Sequence, residues 1–263
     1  MKKVLISCMC ILTLSIFLIG KNYWNEQIEF MVVSASTVAD AISASAETQV
    51  DRDVNEKVKV KKLDKLLTLP SVLKPTFIEK INNNKPVNML ILSSHTFSGD
   101  EAGWPGLLKG KLEEIYSNSL IKTTKKELAG KTSEQILSEN LYKELAGTKP
   151  DILLVEPFLL NDGGEIQMKG SLENLDKILG EFQKQNPDIQ ILLQPSNPYV
   201  GVEYEKDLKE YSIYHGYIYL NHWAVWPDKE SEELKDYLTD ENQPNAKGNE
   251  VWAQYLIDYF VRS

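Results

Sequence analysis

Short, unbroken apolar runs alternate with helix-like segments from Pro86 to the end of the chain. Runs such as NMLILS (residues 88–93) and DILLVE (residues 151–156) have the length of strands and lack polar alternation. Strands of this kind are buried on both faces of a sheet, and helical connections make neighbouring strands parallel. The pattern predicts a three-layer α/β/α domain around a five-stranded parallel sheet. The predicted strands are residues 88–93, 119–124, 151–156, 188–194 and 217–220.

Helix-like segments separate these strands. Their apolar residues recur at helical spacing, as in the last segment, where Trp252, Leu256 and Phe260 fall on one stripe. In domains of this architecture, ligands bind beyond the carboxyl ends of the strands. A site is therefore expected in the loops after the first three strands and in the loop before the last helix. The predicted helices are residues 104–116, 132–145, 170–185, 204–211 and 247–261.

The N-terminal residues 1–21 predict a membrane anchor. Lys2 and Lys3 precede an uninterrupted apolar run over residues 4–20, which ends at Lys21. About 17 apolar residues are the shortest stretch that spans a bilayer as a helix. Because no A-x-A cleavage pattern follows the run, we expect a single-pass transmembrane helix, with Lys2 and Lys3 inside and the rest of the chain extracytoplasmic. Secretion after signal cleavage is the alternative.

Residues 22–65 are small, polar and charged, without turn or strand signals. This composition predicts a partly helical stalk between the anchor and a domain at residues 66–263. Both cysteines of the chain, Cys8 and Cys10, lie in the apolar run. The exported part is therefore expected to fold without disulfides and to contain neither a thiol nucleophile nor a thiolate metal site.

Charge and motifs argue against several classes of ligand. The net charge is −9 and no basic cluster is interleaved with aromatic residues, so a nucleic-acid partner is not expected. The tripeptide Gly130-Lys131-Thr132 is similar to the end of a phosphate-binding loop, but Lys125 stands where the first glycine is required. No H-E-x-x-H motif occurs. The sequence predicts neither a metal nor another cofactor.

Four sequence blocks lie at the predicted ends of strands or before the last helix. They read SSHTFSGDEAGWPGLL, KKELAGKTSEQIL, PFLLNDGG and DENQPNAKG in chain order. Their order and spacing resemble the SGNH/GDSL family of ester hydrolases and acyltransferases over about residues 86–263. The resemblance implies the flavodoxin-like fold of that family and acyl transfer through a covalent serine intermediate.

The resemblance also implies roles for individual residues. A serine after the first strand attacks an ester carbonyl. The oxyanion is held by that serine's own N–H, by the N–H of Gly130 and by the side-chain amide of Asn161, and Asp240 belongs to the catalytic triad. An ungapped match places His95 on the nucleophile position, whereas one inserted residue places Ser94 there. We choose Ser94, because a serine with a following threonine preserves the turn, and assign His95 to substrate contact.

The histidine position of the last block is occupied by Gln243. A neutral amide cannot accept a proton from a hydroxyl group, so Gln243 is assigned to substrate binding. The chain has three histidines, and His222, at the end of strand five, is the candidate base that would act with Asp240 on Ser94. Packing of His222 against Trp223 and Trp226 is the alternative.

The function predicted on this basis is a membrane-anchored, extracytoplasmic esterase or deacetylase. Its expected partners are an acylated cell-envelope polysaccharide or a small ester, together with the membrane. An O-acetyltransferase uses the same acyl-enzyme and differs only in whether water or a sugar hydroxyl receives the acyl group. A carbohydrate-binding module that has lost its triad is the third possibility, and Gln243 favours it.

Overall fold

The computed structural model describes residues 58–94, 102–163, 166–198 and 204–261. All of them belong to the second of two compact units, which begins at Lys57. Within these ranges, no helix is both long and apolar enough to cross a membrane. The predicted anchor at residues 1–21 lies outside the described residues, as does the predicted stalk up to residue 57.

A five-stranded sheet forms the centre of the domain, and all its strands are parallel. The strand order is β2-β1-β3-β4-β5. The predicted architecture of the sheet is therefore confirmed. The strands are β1 (Val87–Ser93), β2 (Ile121–Glu127), β3 (Ile152–Val155), β4 (Gln190–Leu193) and β5 (Ile218–Tyr219).

Helices cover both faces of the sheet. Successive side chains of a strand point to opposite faces, so Met89 and Ile91 of β1 join one buried cluster, whereas Leu90 and Leu92 join the other. The first cluster is completed by α1, α2 and α8, and the second by α3 to α7. The helices are α1 (Lys74–Asn82), α2 (Trp104–Tyr116), α3 (Ser133–Ser138), α4 (Leu141–Gly147), α5 (Leu159–Asp162), α6 (Met168–Gln185), α7 (Glu205–His215) and α8 (Ala246–Phe260).

Two of the differences from the sequence-based prediction have a clear structural cause. The helix predicted over residues 132–145 is split into α3 and α4, because Asn140 between them adopts a left-handed conformation with φ of 57°. Strand β2 begins and ends later than predicted. It is an edge strand in which buried Ile121 and Thr123 alternate with exposed side chains. An edge strand with one buried face lacks the continuous apolar signal of a central strand.

Residues 66–81, which precede the sheet, contribute buried side chains to the first cluster, whereas residues 58–64 are largely exposed. Residues 58–64 form a helix that lies N-terminal to the predicted domain start at residue 66. The Lys65 ammonium donates to the carbonyl of Ile115 at 2.5 Å. Leu66, Leu69 and Leu73 are buried in the same cluster as α2 and α8. The segment from Leu66 to Leu73 therefore belongs to the core of the second unit.

Candidate active site

Three buried side chains meet where β1, β3 and β4 end. Ser94, Glu156 and Ser196, which we call the serine–carboxylate cluster, are at most 1% exposed. The Ser94 hydroxyl donates to Glu156 Oε1 at 2.9 Å, and the Ser94 backbone N–H donates to Glu156 Oε2 at 3.2 Å. The Ser196 hydroxyl donates to Glu156 Oε1 at 2.7 Å. Hydrogen bonds to an ionised group are stronger than neutral ones, so these bonds offset part of the cost of burying the carboxylate.

The sheet itself places these residues together. The Glu156 N–H donates to the carbonyl of Leu92 at 2.9 Å, and the Gln194 N–H donates to the carbonyl of Val155 at 3.1 Å. Both bonds continue the parallel ladders beyond the ends of the strands. Because the ladders fix the register, the residues that follow β1, β3 and β4 emerge at one edge of the sheet. This is the edge at which ligands bind in folds of this class.

Asn161 ties this edge to the loop after β2. Its side-chain amide donates to the carbonyl of Ser94 at 3.2 Å and to the carbonyl of Lys131 at 3.1 Å. Gly130, next to Lys131, has φ of 66°, a left-handed conformation that favours glycine. The loops that carry the three predicted oxyanion residues, Ser94, Gly130 and Asn161, are therefore joined. Because both amide hydrogens of Asn161 contact backbone carbonyls, Asn161 must exchange one of these bonds before it can hold an oxyanion.

Helix α5 holds Asn161 in place. The neighbouring residue, Asp162, accepts a hydrogen bond from the N–H of Ser133 at 2.7 Å through its Oδ1 atom. The hydroxyl of Ser133 in turn accepts a hydrogen bond from Asn174 of α6 at 3.0 Å. The Asn-Asp pair of the third block thus bridges two loops and two helices.

His222 is buried among tryptophans, and both nitrogens of its ring are engaged in hydrogen bonds. Its ring stacks on Trp252 with centroids 4.0 Å apart. Trp226 Nε1 donates to His222 Nδ1 at 3.0 Å, and His222 Nε2 lies 2.8 Å from the carbonyl of Pro195. A carbonyl can only accept, so Nε2 carries the proton and the ring is neutral. Burial lowers the pKa of His222 to about 3, although the Pro195 carbonyl acts in the opposite direction.

This geometry corrects the assignment of His222 as the base for Ser94. Both ring nitrogens already have hydrogen-bond partners, so neither can accept the Ser94 proton. Among the described contacts, no hydrogen bond joins Asp240 to His222. The arrangement is the packing alternative, with Trp226 and Trp252 as the main partners.

Comparison with solved structures gives the fold a name. The chain is similar to a lipolytic protein of the G-D-S-L family from Desulfitobacterium hafniense DCB-2, with 18% identity and a TM-score of 0.52 over 66% of this chain and 99% of that one. A psychrotrophic esterase from Pseudoalteromonas sp. matches with 22% identity and a TM-score of 0.50 over 66% and 96%. A catalytic mutant of an acetylxylan esterase from Geobacillus stearothermophilus matches with 13% identity and a TM-score of 0.52 over 67% and 96%.

The chain has the SGNH/GDSL hydrolase fold. This confirms the fold that the resemblance of the four blocks implies. No protein-family model matches the sequence, and no curated protein does. At these identities the likeness establishes the SGNH/GDSL fold and leaves the chemistry of the site to its own residues.

The fourth SGNH/GDSL block is held in place by residues with structural roles. The Asn245 side chain caps α8 by accepting from the Gly248 N–H at 3.1 Å. A Cβ atom at Gly248 would lie 2.3 Å from the carbonyl oxygen of Tyr237 and 2.9 Å from the Trp226 ring. A glycine is therefore required at this close approach. Asn197 Nδ2 donates to the Asn242 carbonyl at 2.8 Å and connects the loop to the segment after β4.

The predicted functional residues of this loop are outside that framework. Asp240 is exposed, and its carboxylate forms no hydrogen bond within the described chain. Gln243 is half-buried, and its hydrogen bonds involve its backbone: its N–H donates to Thr239 Oγ1 at 3.2 Å, and its carbonyl accepts from the Thr239 N–H at 2.7 Å. No triad is therefore assembled from the described residues of this loop. His95, the other predicted substrate contact, lies outside the described residues.

Glu156 and Ser196 are site residues that the sequence reasoning did not identify. A signal for Glu156 was present, because an acidic residue directly follows the buried run of β3. Ser196 gave no comparable signal, since it lies in a polar PSNP segment after β4. Within the described ranges, no three His, Cys, Asp or Glu side chains are placed so that they could hold a metal ion.

Proposed function

We propose that this chain hydrolyses ester bonds of acylated carbohydrate through Ser94. The observation that carries the proposal is the 2.9 Å hydrogen bond from the Ser94 hydroxyl to the buried Glu156 carboxylate, at the ligand-binding edge of an SGNH/GDSL fold. A hydroxyl directed at a buried carboxylate is oriented and can be activated. The ester class is supported by the structural neighbours, which include an acetylxylan esterase.

In the proposed reaction, the Ser94 oxygen attacks the acyl carbonyl and forms a tetrahedral intermediate. Collapse of this intermediate releases the sugar hydroxyl and leaves an acyl-serine, which water hydrolyses to a carboxylic acid and free Ser94. Asn161 would hold the oxyanion once a substrate displaces one of its two carbonyl contacts. Loss of one such donor costs about 10²–10³ in rate.

The proposed enzyme is anchored in the membrane and acts on the cell envelope from outside. The support is the apolar run over residues 4–20, with Lys2 and Lys3 before it and Lys21 after it. This charge pattern keeps the short N-terminal end inside. Protease treatment of intact cells would test the topology, because only an outward-facing domain is digested without lysis.

A non-catalytic carbohydrate-binding module is the second candidate. It is favoured by the hydrogen bonds that already occupy the Ser94 N–H and the Asn161 amide. The 1% exposure of Ser94 favours it too, because a substrate must displace protein atoms to reach the hydroxyl. The two candidates share a ligand class and differ in whether a covalent serine adduct forms.

Covalent labelling distinguishes the candidates. A fluorophosphonate should label the wild-type chain at Ser94, and Ser94→Ala should abolish both labelling and turnover of acetylated xylo-oligosaccharide. Ser93→Ala is the matched control, since Ser93 Oγ is buried one residue away and has no hydrogen-bond partner among the described residues. A folded wild-type chain that binds the oligosaccharide, but is neither labelled nor active, would establish the binding module instead.

A further inference from the structure

We propose that Glu156 is the general base of this site and takes the proton that histidine takes in a Ser-His-Asp triad. This inference rests on the proposed serine-dependent hydrolysis. A general base must lie within about 2.6–3.2 Å of the atom that loses the proton. Glu156 Oε1 lies 2.9 Å from Ser94 Oγ and satisfies that condition without any rearrangement.

A second group orients the base. The Ser196 hydroxyl donates to the same oxygen, Glu156 Oε1, at 2.7 Å. Ser196 is itself fixed, because its N–H donates to the Tyr204 hydroxyl at 2.9 Å and its carbonyl accepts from Trp223 Nε1 at 2.6 Å. Nucleophile, base and orienting group thus form a chain with the logic of a triad. Ser196 acts through Glu156 and is a positioning residue.

The other described candidates do not meet the geometric condition. Both nitrogens of His222 are engaged with Trp226 and Pro195. Gln243 is an amide, and the exposed carboxylate of Asp240 accepts no hydrogen bond from a described residue. Of the groups that could accept a proton in this fold, Glu156 is the one that touches Ser94 within the described chain.

In both steps of the proposed reaction, Glu156 accepts a proton and then returns it. As the bond from Ser94 Oγ to the acyl carbon forms, the hydroxyl O–H bond breaks and its proton moves to Glu156 Oε1. The same proton passes to the sugar oxygen as the C–O ester bond breaks. Water then attacks the acyl-serine and gives a proton to Glu156, which returns it to Ser94 Oγ as the acid leaves.

The test is the pH profile of kcat/KM for a short-chain ester, measured on the full chain. A carboxylate base loses activity when it is protonated, so the wild type should show an acid limb. Glu156→Gln keeps the shape of the side chain and should lower kcat by about 10²–10⁴, remove the acid limb and leave KM little changed. His95→Gln should retain the limb, although its rate can differ.

Ser196→Ala provides a second, milder measurement that does not alter the base itself. The carboxylate loses one hydrogen bond that stabilises its charged form, so the acid limb should move to higher pH. Ser93→Ala, which removes a hydroxyl that does not bond to Glu156, should leave the limb in place.

The outcomes separate this inference from the proposed function. An active wild type whose acid limb survives in Glu156→Gln or stays in place in Ser196→Ala overturns the inference alone. Loss of the limb in His95→Gln does the same and identifies His95 as the base. A wild type that is neither labelled by fluorophosphonate nor active overturns both.

Discussion

Sequence blocks that match the SGNH/GDSL pattern occur at the carboxyl edge of the sheet and in the loop before the last helix. The residues of these blocks have different roles in the two regions. At the edge, Ser94 and Ser196 donate hydrogen bonds of 2.7–3.2 Å to the buried carboxylate of Glu156. In the loop, Asn245 and Gly248 serve capping and packing, whereas Asp240 is exposed. Residues of a sequence motif can therefore have structural roles that do not depend on catalysis.

The same comparison explains why the third and fourth blocks differ in value as evidence. Asn161 in the third block contacts Ser94 directly, so its presence bears on the site. Asn245 and Gly248 would be needed to hold α8 against the Trp226 ring in an inactive protein as well. Substitutions at the edge of the sheet should therefore mainly affect activity, and substitutions in the loop should mainly affect stability.

Gly248→Val should produce the largest effect and test the structural reading of the loop. The added Cβ would lie 2.3 Å from a backbone carbonyl, which cannot move as a flexible side chain would. Overpacking costs about 1–3 kcal/mol when side chains can shift, so we expect a loss of unfolding free energy of about 3 kcal/mol or more. Denaturant unfolding measures it.

Gly180→Ala is the matched control for that substitution. Gly180 lies inside α6, and a Cβ there meets nothing within 4 Å. Alanine is a better helix former than glycine, so this variant should gain about 0.5–1 kcal/mol. Equal stabilities for Gly248→Val and the wild type would show that this loop tolerates a side chain at position 248 and does not have the structural role assigned to it.

The next effect concerns the pH dependence of stability through His222. Burial holds its folded-state pKa at about 3, below the value of about 6.5 in an unfolded chain. Between these values the unfolded chain binds a proton that the folded chain does not, so stability falls as the pH decreases. The loss approaches about 1.4 kcal/mol per pH unit well below pH 6.5 and amounts to about 2.3 kcal/mol between pH 6.5 and 4.5.

Measuring the unfolding free energy of the wild type and of His222→Gln across this range isolates the histidine, since the carboxylates titrate in both chains. The variant will be less stable throughout, because Trp226 Nε1 and the Pro195 carbonyl lose their partner. Its slope with pH should nevertheless be shallower. Parallel slopes would mean that His222 is protonated in the folded chain and would reopen its assignment as an acid–base group.

The parallel sheet and its central strands could be predicted, because strands buried on both faces leave a continuous apolar signal in the sequence. Strands β1, β3 and β4 fall inside their predicted limits or within one residue of them. The limits of edge strand β2 and the break at Asn140 could not, since an edge strand buries one face and a left-handed asparagine has no periodic signature. The local sequence pattern therefore predicts the architecture, but it does not predict the limits of elements that depend on tertiary packing.

The site was predictable only in part for a similar reason. Asn161 was found because the motif places it at a fixed distance from the end of β3. The contact of Glu156 with Ser94 spans 62 residues of sequence and that with Ser196 spans 40, so no spacing rule reveals them. His222 was misassigned because the end of a strand fixes position along the sheet edge but not whether the side chain turns outward or inward.

The smallest effect is expected at Gln243, and it decides between a replaced triad and a decayed one. Gln243→Ala should change stability by less than about 0.5 kcal/mol, as for a surface substitution, because the contacts of this residue involve its backbone. Gln243→His introduces the residue that the SGNH/GDSL pattern has at this position, three residues after Asp240. If Glu156 is the base, this histidine adds nothing, and kcat/KM for a short-chain ester should stay within about twofold of the wild type, a difference of roughly 0.4 kcal/mol. Glu241→His, at an exposed position two residues earlier in the same loop, controls for the mere addition of an imidazole. A rise of about tenfold or more in Gln243→His alone would mean that Asp240 can still orient an imidazole towards Ser94, and that the site lost its base without acquiring another.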